Sequence, residues 1–257
     1  STGVVNVNDD DADLITGGTA DLTVGNGGNG TLNITGTGLV QVADQFLAGS
    51  NATSVASVDI SGFSIAPFGN SKLEVLGASD SRIGSGGDVT MSITNGGIAD
   101  FAARLIIANG SASSSSITVE DVGLLPSALL VDGELFVGRN VSAGTAAGVG
   151  TLFLNTGGQA TVMGNTRLGD PDGGTGTISM NGGTFNGDLP ISMELGSSIV
   201  GTGTVNADVS VVPGSIVATT ATGITMNGII NNTGAGVFGT KIHFGSTGGY
   251  TGTGSCN

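Results

Sequence analysis

Few side chains in this sequence are able to do chemistry, and most of them stand apart. The densest group is acidic: Asp9, Asp10, Asp11 and Asp13 fall within five positions. Carboxylates this close repel one another unless water solvates them or they share a hard cation such as calcium. An EF-hand loop would need a Gly and a later Glu that the stretch lacks. It is therefore either a calcium-binding cluster or a solvated acidic turn. Asp170-Pro171-Asp172-Gly173-Gly174 has an Asp-x-Asp-Gly flavour, and Pro171 with its glycines already accounts for a tight turn. Arg82, Arg104, Arg139 and Arg167 read as scattered. His243, the single histidine, lies between Ile242 and Phe244, as an outward residue of a strand would. Glycoside hydrolysis needs two carboxylates facing each other across a sugar cleft. With no Trp and one Tyr, Tyr250, the chain has little to build such a cleft from. A polysaccharide-active enzyme is thus the least supported class. No catalytic residues are assigned, and calcium is the one cofactor candidate.

Composition bounds the rest. Of 257 residues, 49 are Gly, and only 10% are charged. Helix-forming residues at a spacing of about 3.6 are missing, and Gly and Asn interrupt too often for long helices. What remains is short Val/Ile/Leu/Thr runs between Gly corners, an all-β signal. A mean hydropathy of +0.31 leaves enough apolar side chains for a core. The net charge of −14 argues against nucleic acid and anionic membranes, which recruit clustered Lys and Arg. No apolar run reaches the ~18 residues of a membrane helix, so membrane insertion is not expected. The N-terminus shows no charged segment leading into an apolar one, so any secretory leader is expected to have been removed. Cys256, the lone cysteine, excludes an intrachain disulfide and a Cys-based zinc site, leaving a spare thiol or an intermolecular link.

The elements that would position these groups repeat along the chain. Leu135–Val162 contains a short strand (Leu135, Val137), a Gly-rich loop, a second strand (Leu152, Leu154), a Gly157-Gly158 corner and a third strand ending at Val162. First strands align at Leu22, Phe46, Leu73, Leu105, Leu135 and Thr166, spaced by 24, 27, 32, 30 and 31 residues. Second strands follow at Leu32/Ile34, Val58/Ile60, Met91/Ile93, Ile117/Val119, Leu152/Leu154 and Ile178/Met180. Each brackets one outward residue: Asn33, Asp59, Ser92, Thr118, Phe153 or Ser179. That triplet is the period-two mark of a strand with one buried face. Third strands are expected at Leu39–Val42, Ile98–Phe101, Ala160–Val162 and Thr184–Phe185. Length variation is expected mainly between first and second strands, with 80–88 among the loops. After Phe185 the coils shorten, with Ile199, Val205, Val209, Val211, Ile216, Ile224, Met226 and Ile229 as inward candidates.

Stacked coils of this kind predict an all-β chain, a right-handed parallel β-helix or β-solenoid with irregular coils of about 17–32 residues. Residues 1–20 form an N-terminal strand and acidic arm, 21–185 the solenoid repeats, and 186–257 shorter coils and a tail.

The motifs Leu22-Thr23-Val24-Gly25…Gly30-Thr31-Leu32-Asn33-Ile34 and Leu135-Phe136-Val137-Gly138…Gly150-Thr151-Leu152-Phe153-Leu154 resemble the passenger-associated β-strand repeat of bacterial autotransporters and related secreted surface proteins. Val200-Gly201-Thr202-Gly203-Thr204-Val205-Asn206-Ala207-Asp208-Val209 resembles a coil common near the ends of such arrays, with Ala207 where Gly is usual. The resemblance spans roughly residues 22–245. It implies a β-helix exported to the cell surface, and it says little of function because the repeat is a scaffold signature.

Solenoid ends leave open strand edges, which pair unless capped. Head-to-tail stacking of identical chains would propagate as a filament. Val4, Val5 and Val7 could supply a strand to a neighbour. Leu47, Ile106, Phe136 and Phe153 are expected to face solvent as an apolar contact surface. The expectation is a secreted, extracellular, non-catalytic structural protein of the cell surface whose main partner is itself. The alternative is a monomeric adhesin that binds glycans or a host surface.

Overall fold

The computed structural model describes residues 1–8, 12–65, 68–110, 113–121, 123, 125–140, 147–232, 237–238, 242–244 and 249–252. It is a parallel β-helix, and the described residues contain no helix. Each coil contributes one strand to a ten-stranded parallel sheet, the first face. It contributes one or two more to a seventeen-stranded sheet that wraps the second and third faces.

Alternation builds the core. On the second face Leu32, Val58, Met91, Ile117, Leu152 and Ile178 stack in register, one per coil. On the third face Val40, Leu73, Ala99, Leu129, Ala160 and Phe185 do the same. All are buried, so each strand removes every second side chain from water at about 25 cal/mol per Å² of apolar surface. The outward residues form polar ladders, as where Asn33 donates from Nδ2 to Asn6 Oδ1 at 2.7 Å.

Corners fix residue size. Gly38, Ser71, Gly97, Ser127 and Gly158 occupy equivalent positions just before the third-face strands. A Cβ on Gly158 would lie 2.1 Å from the Val119 carbonyl oxygen, so the close approach of successive corners requires glycine there. Where serine replaces it, the hydroxyl is used. Ser71 Oγ donates to the Ser61 carbonyl at 2.8 Å, and Gly96 N–H donates to Ser127 Oγ at 3.0 Å.

All six second strands lie where the alternation places them, and so do the four expected third strands. The first-strand alignment needs one correction. Lys72–Val75 pairs with Leu39–Val42 and Ile98–Phe101, so Leu73 and Val75 belong to the third face. The first strand of that coil is Ser81–Ile83, inside the stretch expected to be a loop. It escapes a search for aliphatic pairs because one of its two inward residues is Ser81, whose Oγ accepts the Phe46 N–H at 3.1 Å, and only Ile83 is aliphatic. A second third-face strand, Ala128–Val131, goes unread behind a long corner. The largest insertion lies between second and third strands, where Phe63–Ile65 and Phe68–Asn70 form an antiparallel pair.

At the N-terminus, Thr2–Asn8 is not a free arm. It pairs in parallel along its whole length with Asn29–Thr35 as part of the solenoid. Towards the C-terminus, Thr175–Gly187 and Ser198–Asn206 run through the corner as continuous strands with register shifts at Asn181/Gly183 and Gly201/Gly203. Replacing a turn by a shift shortens the coil. Of the inward candidates there, Ile199, Val205, Val209, Val211, Ile224 and Met226 are buried. Ile229 is exposed, and Ile230 takes the inward place.

Candidate functional site

The site with the most distinctive chemistry lies outside the first face. Its strands carry one outward residue each in register: Thr23, Leu47, Arg82, Ile106, Phe136, Arg167, Ser192, Ser210 and Asn231. Arg82 and Arg167 sit in this row. Arg104 ends the corner before Leu105, and Arg139 ends the strand Leu135–Arg139. All four arginines of the chain therefore converge on one face.

Phe136 is the hub. The guanidinium carbons of Arg104, Arg139 and Arg167 lie 5.8, 5.5 and 5.4 Å from its ring centroid. These are cation–π distances, each worth about 0.5–1 kcal/mol at an exposed site. With the three guanidinium groups over it, the Phe136 ring is 5% exposed. Arg104 is further held by ion pairs to Asp80 at 2.9 Å and Glu134 at 3.6 Å. Among the described residues, no carboxylate lies within 4.0 Å of Arg82, Arg139 or Arg167. The Nε of Arg82 is buried without a hydrogen-bond partner. Sequence reasoning missed this cluster because its members are 22 to 35 residues apart with no constant period.

Two expectations are corrected here. Ile106 does not face solvent but is 0% exposed, pinned in the row between Arg82 and Phe136. Phe136 is likewise covered, by arginine side chains. Leu47 is half-buried, and Phe153, on the second face, is exposed at 36%. Val4 and Val5 are exposed at 58% and 46%, whereas Val7 is buried at 5% and is not available to a neighbour.

Asp13 is exposed on the strand Asp13–Ile15, which pairs with Leu39–Gln41. Asp9, Asp10 and Asp11 lie outside the described residues, as does Cys256. Among the described residues, no three His, Cys, Asp or Glu side chains come together as metal ligands would. Asp170 forms a turn of the expected kind, its carboxylate accepting the Asp172 N–H at 3.0 Å. His243 and Tyr250 lie on strands whose side chains are not described.

A second charged group sits on the third face. Lys72 Nζ meets Glu74 at 2.6 Å and Asp100 at 3.0 Å, and Gln41 Nε2 donates to Glu74 at 2.6 Å. The Lys72 hydrogen bond, then that of Gln41, holds the Glu74 carboxyl below its usual range. Burial lowers the Lys72 ammonium, but hydrogen bonds to Glu74 and Asp100 outweigh it and raise it overall. On the second face, burial pushes the Asp59 carboxyl up. The network is internally satisfied and points to no ligand.

No family model matches the chain, and no curated protein does. Among solved structures, it is similar to the crystal structure of a TibC-catalysed, hyper-glycosylated TibA fragment, with 14% identity and a TM-score of 0.22, over 98% of this chain and 97% of that one. That score is too low to bear on function, and the passenger-repeat resemblance rests on the motifs quoted above.

Proposed function

We propose that this protein is a non-catalytic, extracellular β-solenoid that displays its first face to a ligand at a cell surface, as an adhesin does. One observation carries the reading. A chain with 20 acidic residues and six basic ones places all four of its arginines on one face, three of them around one ring, and among the described residues only Arg104 pairs with a carboxylate. Clustering like charge costs free energy, and a partner carrying the opposite charge offsets that cost. The carboxylates paired within this arginine ledge, Asp80 and Glu134, are both engaged by Arg104, so they serve as struts rather than as a general acid and base.

The test is attachment of labelled protein to cell-surface material. Arg167→Glu on the first face abolishes attachment, whereas Thr118→Glu on the second face leaves it intact. Equal attachment by the two variants contradicts the reading.

Head-to-tail stacking into a filament is the second reading, supported by the parallel in-register ladder, in which each coil offers its strand edges to the next. Ten coils at about 4.8 Å make a rod roughly 45 Å long. Negative-stain electron microscopy over a concentration series distinguishes such rods from filaments. Filaments that dissolve in chelator would assign calcium to the Asp9–Asp13 segment.

A further inference from the structure

The open guanidinium forks on the first face have a definite chemistry. A guanidinium offers its N–H donors in a flat fork that matches a carboxylate in two parallel hydrogen bonds. Arg104 has spent its fork on Asp80 and Glu134. Among the described residues Arg139 and Arg167 pair with no carboxylate, and the Phe136 ring beneath holds both in place before any ligand arrives. Such preorganisation lowers the entropy lost on binding. Further along the same row, the outward residues after Arg167 are Ser192, Ser210 and Asn231. Hydroxyl and amide groups both donate and accept, which suits the hydroxyls of a sugar.

The surroundings narrow the ligand. A long polyanion or an anionic membrane would extend past the ledge into the field of a chain with net charge −14. A short ligand with one carboxylate beside several hydroxyls meets the ledge alone.

We infer that Arg139 and Arg167, with Ser192 and Ser210 following along the row, form a binding site for a carboxylate-bearing saccharide, a uronate or a sialate residue. The inference rests on the reading that the first face meets a ligand, and it names that ligand's class. No bond is made or broken. The Phe136 ring supports the two arginines, and Arg104, paired with Asp80 and Glu134, lies over the same ring.

Isothermal titration of the full chain with four probes tests it: trigalacturonate, its methyl ester, sialyllactose and lactose. At least one acid binds, and its uncharged counterpart does not. Which acid binds separates uronate from sialate. The R139Q/R167Q variant, with an unchanged melting temperature, weakens binding by roughly tenfold or more, the scale of a lost charged hydrogen bond. The R139K/R167K variant falls between, because it keeps the charge and loses the fork. Equal binding of acid and uncharged counterpart overturns the inference, as does full binding by a folded R139Q/R167Q protein. Binding of lactose or the methyl ester alone also overturns it, while leaving a first-face ligand in place. If no probe binds and R139Q/R167Q attaches to cell-surface material as wild type does, both readings fall.

Discussion

The guanidinium of Arg167 lies 5.4 Å from the ring of Phe136, one coil down the same outward row. An exposed arginine thus covers an aromatic ring that strand alternation alone would leave in water. Phe136→Ala removes the platform under Arg104, Arg139 and Arg167 together. We expect a loss of about 2–3 kcal/mol, below the usual cost for a core phenylalanine because the ring lies outside the sheet. Phe136→Leu keeps the apolar filling and loses less. Thermal or denaturant unfolding measures both losses, and a Phe136→Leu variant as stable as wild type would show that the ring's interaction with the arginines contributes nothing.

Corner geometry makes a sharper prediction. Gly158→Ala places a Cβ 2.1 Å from a backbone oxygen that cannot yield. A loss of roughly 3 kcal/mol or more follows, because the strand Gln159–Val162 must shift in its ladder. Gly3→Ala meets nothing within 4 Å and should stay within about 0.5 kcal/mol of wild type. Comparable losses at both sites would contradict the packing described here.

The third-face network predicts a pH window. Glu74 is held below its ordinary value of 4.5, so its contribution is complete above that value and is lost as pH falls through the lowered one. Lys72 is raised above 10.5, so its contribution is complete below that value and is lost as pH rises through the raised one. Glu74→Gln should therefore lower the melting temperature slightly at neutral pH and not at all in strong acid. The effect is small because both groups are partly exposed. A cost that persisted in strong acid would show that packing, not charge, is responsible.

Asp59 behaves in the opposite sense. Burial raises its carboxyl, so ionisation opposes folding at neutral pH and the penalty fades as the group protonates. Asp59→Asn should raise the melting temperature at pH 7, with the gain shrinking through the acid range. Its outward neighbours are Asn33 and Ser92, so an amide is readily accommodated. A melting temperature that falls at pH 7 would contradict a desolvated carboxylate.

The amide ladder near the C-terminal coils gives a last test. Asn206 donates to Asn186 at 2.7 Å and accepts from Asn227 at 2.6 Å, linking three coils. Asn206→Ala removes both bonds and should cost about 1 kcal/mol. Native-state hydrogen exchange should show the strands Thr175–Gly187 and Ser198–Asn206 loosening together. Unchanged exchange there would show that water replaces the ladder without loss.

What could be read from residue order was local and periodic. A strand buries alternate side chains, so Leu32/Ile34 or Leu152/Leu154 declares its inward face without reference to any other coil. Glycine corners such as Gly158 declare themselves for a similar reason, since a Cβ there would meet the backbone of the preceding turn. Parallel stacking then follows, because one coil cannot bury its own apolar face. Phase along the stack was less legible. Ser81 uses a hydroxyl where the next two coils place Leu105 and Leu135, so that strand shows one inward apolar residue, Ile83, in place of a pair.

Which outward residues become neighbours was decided only by the tertiary structure. Residues one coil apart sit about 4.8 Å from each other whatever the length of chain between them. The long corner before Ala128, and connections of different length from Asn109 to Ser114 and from Arg139 to Val149, make those lengths unequal, so no fixed period links Arg82, Arg104, Arg139 and Arg167. Strand alternation determined that Phe136 points outward. Only the stacked ladder, by carrying three cationic side chains across its ring, decided that it is buried.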